Sequence, residues 1–222
     1  TTSMSHAEYY PGAFFITTKL TFNPEDGTLY GAQCVGHEGV DKRIDQLAMI
    51  IKHRGTIYDL IRLEQAYAPP FSSAKDPIAI AGYTAANIIS GKMPVIYWRD
   101  IDGLDRSKVN YRHPYTFRIQ LGTISGAVNI PVDDIRERMS EIDKSKPVVT
   151  FCAVGLRGYI ATRILMANGY DVRNLSGGYK TYQLATQDLQ CADGNDDSDD
   201  SSCSCSCTPG SQCSDSRATL TV

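Results

Sequence analysis

Residues 147–158, Pro-Val-Val-Thr-Phe-Cys-Ala-Val-Gly-Leu-Arg-Gly, constrain the fold and the chemistry of this chain more than any other stretch. The apolar run 147–151 predicts a buried strand, and residues 158–165 predict a helix with an apolar stripe. Cys152 therefore lies in a short loop between a strand and a helix. The unpaired N–H groups and partial positive charge of the helix N-terminus, together with Arg157, favour a thiolate over a thiol. A thiolate at such a position is a candidate nucleophile.

Two further motifs flank this loop. Residues 122–131 read Gly-Thr-Ile-Ser-Gly-Ala-Val-Asn-Ile-Pro, and residues 174–179 read Asn-Leu-Ser-Gly-Gly-Tyr. With the Cys152 loop between them, they resemble three motifs of the rhodanese-type sulfurtransferases, in the family's order. The resemblance implies a rhodanese-like fold and a persulfide carried on Cys152. The chain departs from the family where Asp-x-Arg is replaced by Asn110-Tyr111-Arg112, and where Gly-His is replaced by Gly122-Thr123.

The length of the loop bears on its chemistry. Four residues, Ala153, Val154, Gly155 and Leu156, separate Cys152 from Arg157. Related dual-specificity phosphatases have five, which gives a wider loop for phosphate, so the loop length disfavours a phosphatase. Inward-pointing N–H groups of the loop and of Gly158 would form an anion nest for the terminal persulfide sulfur. Cys152 and Arg157 are therefore the candidate catalytic residues, and the loop with Gly158 is the candidate persulfide-binding loop. The alternative is a buried structural cysteine.

Composition sets broad limits on the chain. Its 222 residues include 42% hydrophobic residues, enough for a packed core, and the net charge of −3 does not suggest nucleic-acid binding. We see no long apolar run and no signal peptide, so we expect a cytoplasmic protein without membrane association. Five of the seven cysteines follow residue 190, a distribution that argues against a secreted disulfide framework.

The chain divides into three segments, and the second, residues 93–190, contains the Cys152 loop. Five short apolar segments alternate with helical stretches, which predicts a mostly parallel sheet with helices on both faces. The predicted strands are Val95–Trp98, Val109–Arg112, Ala127–Ile130, Val148–Phe151 and Val172–Leu175. Such sheets bind ligands at the carboxyl ends of their strands, where Cys152 is placed.

The first segment, residues 1–92, has a different pattern. Residues 14–22 and 28–36 have strand composition and flank a turn, which predicts a β-hairpin. A helix follows with one apolar face, then a short helix capped by Thr56 and a third capped by Asp76. This segment combines a hairpin with helices in an α+β arrangement, whereas the second segment is α/β.

Several blocks in the first segment resemble the C-terminal dimerisation domain of the pyridine nucleotide-disulfide oxidoreductases, and most closely that of coenzyme A-disulfide reductases and related NADH oxidases. The matching blocks are residues 6–12, 31–33, 39–43 and 66–77. The resemblance implies a homodimer in which tyrosines contribute to the partner subunit's active site. Tyr67 and either Tyr9 or Tyr10 match those positions.

The resemblance also implies FAD, NADH and CoA for a full-length protein, but the chain has no Gly-x-Gly-x-x-Gly fingerprint for a dinucleotide. We therefore expect no cofactor in this chain, and we interpret residues 1–92 as an N-terminally truncated dimerisation domain. The whole chain resembles the C-terminal part of a coenzyme A-disulfide reductase–rhodanese fusion.

Residues 191–222 form the third segment, which is rich in Asp, Ser and Cys. Six Asp and one Arg give it a net charge of −5, and it has no apolar periodicity, so we expect a disordered tail. Cys203, Cys205, Cys207 and Cys213 could chelate a soft metal, but their spacing fits no usual zinc site, and we predict none.

Two functions remain open from the sequence. The first is a sulfurtransferase that relays sulfane sulfur from polysulfide, persulfide or thiosulfate through Cys152, within a CoA-disulfide or CoA-persulfide reductase system. The second is a non-catalytic dimerisation or sulfur-carrier module whose rhodanese-like domain has decayed at Asn110 and Thr123. The retained nucleophile and loop charge favour the first.

Overall fold

The computed structural model of the protein describes residues 1–105, 109–113, 122–192 and 218–221. Three strands of the first segment and one strand of the third form a four-stranded antiparallel sheet with the strand order β1-β2-β3-β9. Its strands are β1 (Thr2–Met4), β2 (Phe15–Phe22), β3 (Leu29–Gly36) and β9 (Ala218–Thr221). The predicted hairpin is confirmed as β2 and β3, and β1 is an additional strand paired with β2.

Three helices cover this sheet: α1 (Val40–Lys52), α2 (Ile57–Arg62) and α3 (Pro77–Ile89). Both predicted caps are present. The Asp76 carboxylate accepts the N–H of Ile78, and Thr56 forms a capping box with Asp59. The apolar faces of the helices and β3 form one core of aliphatic side chains, including Leu47, Leu60 and Ile78.

A buried ion pair fixes the start of α3. The Arg43 guanidinium on α1 lies 2.7 Å from the Asp76 carboxylate, and it also donates to the carbonyls of Ser5 and Gly39. Burial opposes ionisation of Asp76, but the hydrogen bonds and charge of Arg43, with smaller contributions from Ser72 and Ile78, lower its pKa below the usual range. This pair therefore ties the loop around Ser5 to α1 and α3.

The second segment is a parallel sheet with the order β4-β8-β7-β5-β6. The strands are β4 (Val95–Ile96), β5 (Asn110–His113), β6 (Val128–Asn129), β7 (Val148–Thr150) and β8 (Val172–Leu175). The helices are α4 (Trp98–Ile101), α5 (Leu156–Ala167) and α6 (Gly178–Ala192), with a short 3-10 helix at Met139–Glu141.

Helices cover both faces of this sheet, as predicted. Val149 and Phe151 pack in one core with Ile101 of α4 and the tyrosines of α6. Val148 packs in the opposite core with Ala161 and Leu165 of α5. Successive residues of β7 thus point to opposite layers, as the strand period requires.

The structure corrects two details of the predicted elements. The first predicted strand does not extend to Trp98, because the Asp100 carboxylate accepts the N–H of Tyr97 and starts α4 there. The predicted tail is not wholly without structure, because α6 runs to Ala192 and β9 pairs antiparallel with β3 from Gln33 to Gly36. The edge of β3 offers unpaired backbone groups to the Thr-rich segment of β9. The domain boundaries at residues 92 and 190 stay a prediction.

Candidate active site around Cys152

Cys152 follows the end of β7, and its side chain is buried, with 3% exposure. The loop leads into α5, whose N-terminal cap is Gly155. Gly155 has φ 110° and ψ −23°, a backbone conformation that side chains rarely permit. In this conformation its N–H donates to the Cys152 Sγ over 3.1 Å. A backbone amide is thus already directed at the sulfur.

The first turn of α5 adds further positive potential beside the thiol. No side chain caps the helix at Gly155, so the orphan N–H groups of that turn are not neutralised by a capping oxygen. A helix of twelve residues carries a substantial macrodipole. The amide at Gly155 and this helix end together suit an anion carried at the position of Sγ.

Two buried hydroxyl groups contact the first turn of α5 at the carbonyl of Gly158. The hydroxyl oxygens of Thr162 and Thr150 lie 2.9 Å and 3.1 Å from the carbonyl oxygen of Gly158 and 2.6 Å from each other, so they form one hydrogen-bonded group with that carbonyl. A Cβ at Gly158 would lie 3.3 Å from the Cα of Phe151 and would overlap the Asn174 carboxamide oxygen. Gly158 therefore lets the helix approach β7 and β8 closely.

The first turn of α6 is hydrogen-bonded to the Cys152 loop. The N–H of Tyr179 donates to the Cys152 carbonyl over 2.8 Å, and the N–H of Lys180 donates to the Ala153 carbonyl over 3.1 Å. Gly178 has φ 66°, and a Cβ there would overlap the Cys152 carbonyl oxygen and lie 2.8 Å from that of Ala153. The first two carbonyls of the loop are thus hydrogen-bonded to α6.

The remaining predicted loop residues lie around the mouth of the site. Arg157 is the second residue of α5 and has an exposed side chain, while Val154 is partly exposed. Leu156 is 67% exposed. Of the two departures from the rhodanese motifs, Thr123 is exposed, whereas the Asn110 side chain lies outside the described part of the structure.

The tyrosines of the first segment form a separate group. The hydroxyl groups of Tyr9 and Tyr67 lie 3.3 Å apart, whereas the Tyr10 ring contacts His6 edge to face. The hydrogen bond with Tyr67 raises the pKa of Tyr9, with smaller contributions from desolvation and the charge of Tyr67. The structure therefore pairs Tyr67 with Tyr9 rather than with Tyr10.

A cavity of about 330 Å³ also lies in the first segment, and its walls include His6, Glu38, Lys42 and Phe71. No residue of the Cys152 loop lines it. Within the described ranges, no cluster of His, Cys, Asp or Glu could hold a metal ion. Cys203, Cys205, Cys207 and Cys213 lie outside those ranges.

Sequence reasoning missed three residues that shape the site: Thr150, Thr162 and Asn174. Thr150 is a polar residue in an otherwise apolar strand, and Asn174 directly precedes the Leu-Ser-Gly-Gly turn; these are the signals that could have identified them. In the described part of the chain, no helix is long and apolar enough to cross a membrane.

Two family models match the chain. The model of the pyridine nucleotide-disulphide oxidoreductase dimerisation domain matches residues 1–79, and the model of the rhodanese-like domain matches residues 100–185. Coenzyme A disulfide reductase from Staphylococcus epidermidis is 43% identical over 81 residues, which cover 36% of this chain and 18% of that protein.

Two solved structures resemble both domains. Reduced Bacillus anthracis CoADR-RHD matches with a TM-score of 0.82 and 41% identity, over 84% of this chain and 34% of that one. An NAD-dependent persulfide reductase from A. fulgidus matches with a TM-score of 0.73 and 34% identity, over 80% of this chain and 32% of that one. The chain thus spans about a third of the length of these two proteins.

Proposed function

We propose that this chain is a sulfurtransferase that carries sulfane sulfur on Cys152. The chain joins the dimerisation domain of the pyridine nucleotide-disulphide oxidoreductases to a rhodanese-like domain. It therefore corresponds to the C-terminal part of coenzyme A-disulfide reductase–rhodanese proteins. The observation that carries this proposal is the Gly155 N–H, directed at the Cys152 Sγ over 3.1 Å at the start of α5. Preorganised donors of this kind stabilise an anion without further reorganisation.

The proposed reaction has two sulfur transfers. The Cys152 thiolate attacks the outer sulfur of thiosulfate or the terminal sulfur of a polysulfide. The S–S bond of the donor breaks, and its electron pair leaves with sulfite or with the shortened polysulfide. Cys152 then holds a persulfide, whose terminal sulfur carries the negative charge. A thiolate or cyanide attacks this sulfur, and the Cys152 thiolate leaves.

The residues around Cys152 have distinct roles in this proposal. The Gly155 N–H and the first turn of α5 stabilise the anion on the thiolate and on the persulfide. Arg157 adds a full positive charge at the rim, which favours anionic donors. The bonds from α6 to the Cys152 and Ala153 carbonyls keep the loop in one conformation through both transfers.

Cyanolysis tests this function directly. We expect the chain to form thiocyanate from cyanide with thiosulfate or polysulfide as donor, and Cys152→Ser to abolish the reaction. Cys34→Ser is a matched control, because Cys34 is a fully buried cysteine of the other domain. Thiocyanate formation no faster than that of Cys152→Ser with every donor would favour the alternative, a non-catalytic dimerisation or carrier module.

A second proposal concerns the tyrosines, because Tyr9 and Tyr67 place two exposed hydroxyl groups 3.3 Å apart. We propose that this pair contributes to a disulfide-reducing site of a second subunit. FAD and NADH would supply the electrons in the nucleotide-binding part of such a reductase. This chain has no dinucleotide fingerprint, because no two of its 18 glycines stand two positions apart, as the fingerprint requires.

The tyrosine proposal requires a longer chain that includes a reductase part. There, Tyr67→Phe should slow disulfide reduction and leave sulfur loading of Cys152 unchanged. Tyr10→Phe is the control, since Tyr10 contacts His6 instead. Equal effects of the two substitutions would argue against the pair.

A further inference from the structure

We propose that Asn174 is a positioning residue for Cys152, whose carboxamide holds the Gly155 carbonyl and thereby directs the Gly155 N–H at the sulfur. Asn174 is the third residue of β8 and is 4% exposed. Its side-chain nitrogen donates to the Gly155 carbonyl over 3.3 Å. The proposal deepens the sulfurtransferase function and rests on it for its purpose, although the geometry stands without it.

Two contacts fix the orientation of the Asn174 carboxamide, and a backbone hydrogen bond holds the residue itself in place. Besides Gly155, its nitrogen donates to the Met93 Sδ over 3.6 Å, and the backbone N–H of Asn174 donates to the Pro94 carbonyl over 2.9 Å. A carbonyl oxygen and a thioether sulfur are both acceptors, so both require the nitrogen of the amide rather than its oxygen. The donor end of Asn174 therefore faces the Cys152 loop.

The other end of the carboxamide has no partner. The Asn174 Oδ1 is buried and accepts no hydrogen bond within the described part of the protein. It packs against the Cα of Gly158, where any side chain would overlap it. A buried oxygen without a partner opposes folding, so an apolar residue of the same shape would suit this position at least as well for stability. We therefore attribute the role of Asn174 to its side-chain N–H group, which donates to the Gly155 carbonyl.

That donor acts on the residue that contacts the sulfur. The N–H of Gly155 reaches the Cys152 Sγ only while Gly155 keeps its left-handed conformation, and its carbonyl is held in turn by Asn174 and by the N–H of Tyr159. Glycine has broad conformational freedom, so an unrestrained Gly155 would rotate readily. Loss of the Asn174 donor should therefore weaken the amide contact to the thiolate.

Alkylation of Cys152 tests this role. The measured quantity is the rate of modification by iodoacetamide at neutral pH, followed by mass spectrometry on the tryptic peptide 145–157, in which Cys152 is the sole cysteine. We expect Asn174→Leu to slow this rate by about threefold to tenfold, which corresponds to one lost hydrogen bond. We expect the Tm to be unchanged or raised.

Asn168→Leu is the matched control. Asn168 lies at the other end of α5, and its amide likewise donates to a backbone carbonyl, that of Ile164, over 2.8 Å. We expect the wild-type alkylation rate for this variant. Asn174→Asp removes the same donor with almost no change in shape and should be slower than wild type as well.

Whether the alkylation rate of Asn174→Leu falls or rises distinguishes a residue that positions the Gly155 amide from one that only supports the fold. Cys152 is buried, so loosening of the structure would expose it and accelerate its alkylation. A rate for Asn174→Leu that is equal to or above that of the wild type would overturn the proposal. Alkylation needs no sulfur donor, so this result is independent of whether Cys152 accepts sulfur.

Discussion

Glycines give the Cys152 loop its chemistry at the scale of single residues. Gly155 adopts a conformation that turns its N–H to the sulfur, and Gly158 and Gly178 let α5 and α6 approach the loop. The motif around Cys152 made the first of these predictable, because a glycine between a nucleophile and a helix start commonly serves to expose backbone amides.

Contacts between residues far apart in the sequence were not predictable in the same way. Asn174 contacts Gly155 across 19 positions of sequence, and Tyr9 meets Tyr67 across 58. Neither contact leaves a periodic pattern in the sequence. The family resemblance singled out Tyr67 as a candidate, but only the folded geometry showed that Tyr9, and not Tyr10, is hydrogen-bonded to it.

Arg157 provides a test at this scale. Arg157→Ala should slow alkylation of Cys152 near neutral pH by about twofold to fivefold, the range expected for one exposed charge. The helix end and the Gly155 amide remain, so the loss should be partial. Arg157→Lys keeps the charge and should retain most of the rate, and equal rates in all three proteins would show that the charge of Arg157 does not act on Cys152.

Among the helices and strands, most were predictable from local patterns in the sequence. The apolar face of α1 and the capping residues Thr56 and Asp76 placed the helices of the first domain correctly. The strands β1 and β9 were missed because they are short and depend on pairing with an edge of the β2–β3 hairpin. Tertiary pairing decides such segments more than their own composition does.

The first residue of α6 allows a specific prediction. Gly178→Ala should destabilise the second domain and weaken the bonds from α6 to the loop, because its Cβ would overlap the Cys152 carbonyl and Gly178 has a positive φ. We expect a lower Tm and slower sulfur loading. Gly91→Ala, at another glycine with positive φ but with open space around it, controls for backbone strain alone. Identical behaviour of the two variants would contradict a specific clash with the loop.

The Arg43–Asp76 pair makes a prediction about pH. Asp76→Asn should lower the free energy of unfolding by about 3 to 5 kcal/mol at neutral pH, because it leaves a buried guanidinium without its counter-charge. The lowered pKa of Asp76 means that its stabilisation is complete above the pKa of an unfolded aspartate and is lost as the pH falls through its folded pKa. The difference between wild type and variant should therefore shrink towards acid pH in urea unfolding followed by circular dichroism.

An exposed aspartate provides the comparison for that experiment. Asp59 also accepts a hydrogen bond at a helix start, but on the surface, and Asp59→Asn should have a much smaller effect at neutral pH. A difference between wild type and Asp76→Asn that grows towards acid pH would contradict the assigned direction of the pKa change.

In the molecule as a whole, the first domain exposes several large aromatic side chains, which we call its aromatic surface. Tyr9, Phe71 and other large aromatic side chains there are open to solvent. Such surfaces commonly mark an interface, and the domain matches a dimerisation family. We propose that two copies of the chain associate through this surface.

Light scattering tests this association. The chain should have about twice its mass of 24.4 kDa at micromolar concentration. The double substitution Tyr9→Lys and Phe71→Lys should shift it towards the monomer, whereas Leu184→Lys, at an exposed apolar residue of the second domain, should not. A monomeric wild type would contradict association through the aromatic surface.

Whether Cys152 itself carries the transferred sulfur can be read from the mass of one peptide. After treatment with thiosulfate or polysulfide and removal of the donor, the mass of the tryptic peptide 145–157 should increase by one sulfur atom. Reduction with a thiol should remove the addition, and the Cys152→Ser peptide should not gain it. An unchanged mass of the wild-type peptide with both donors would contradict this role of Cys152.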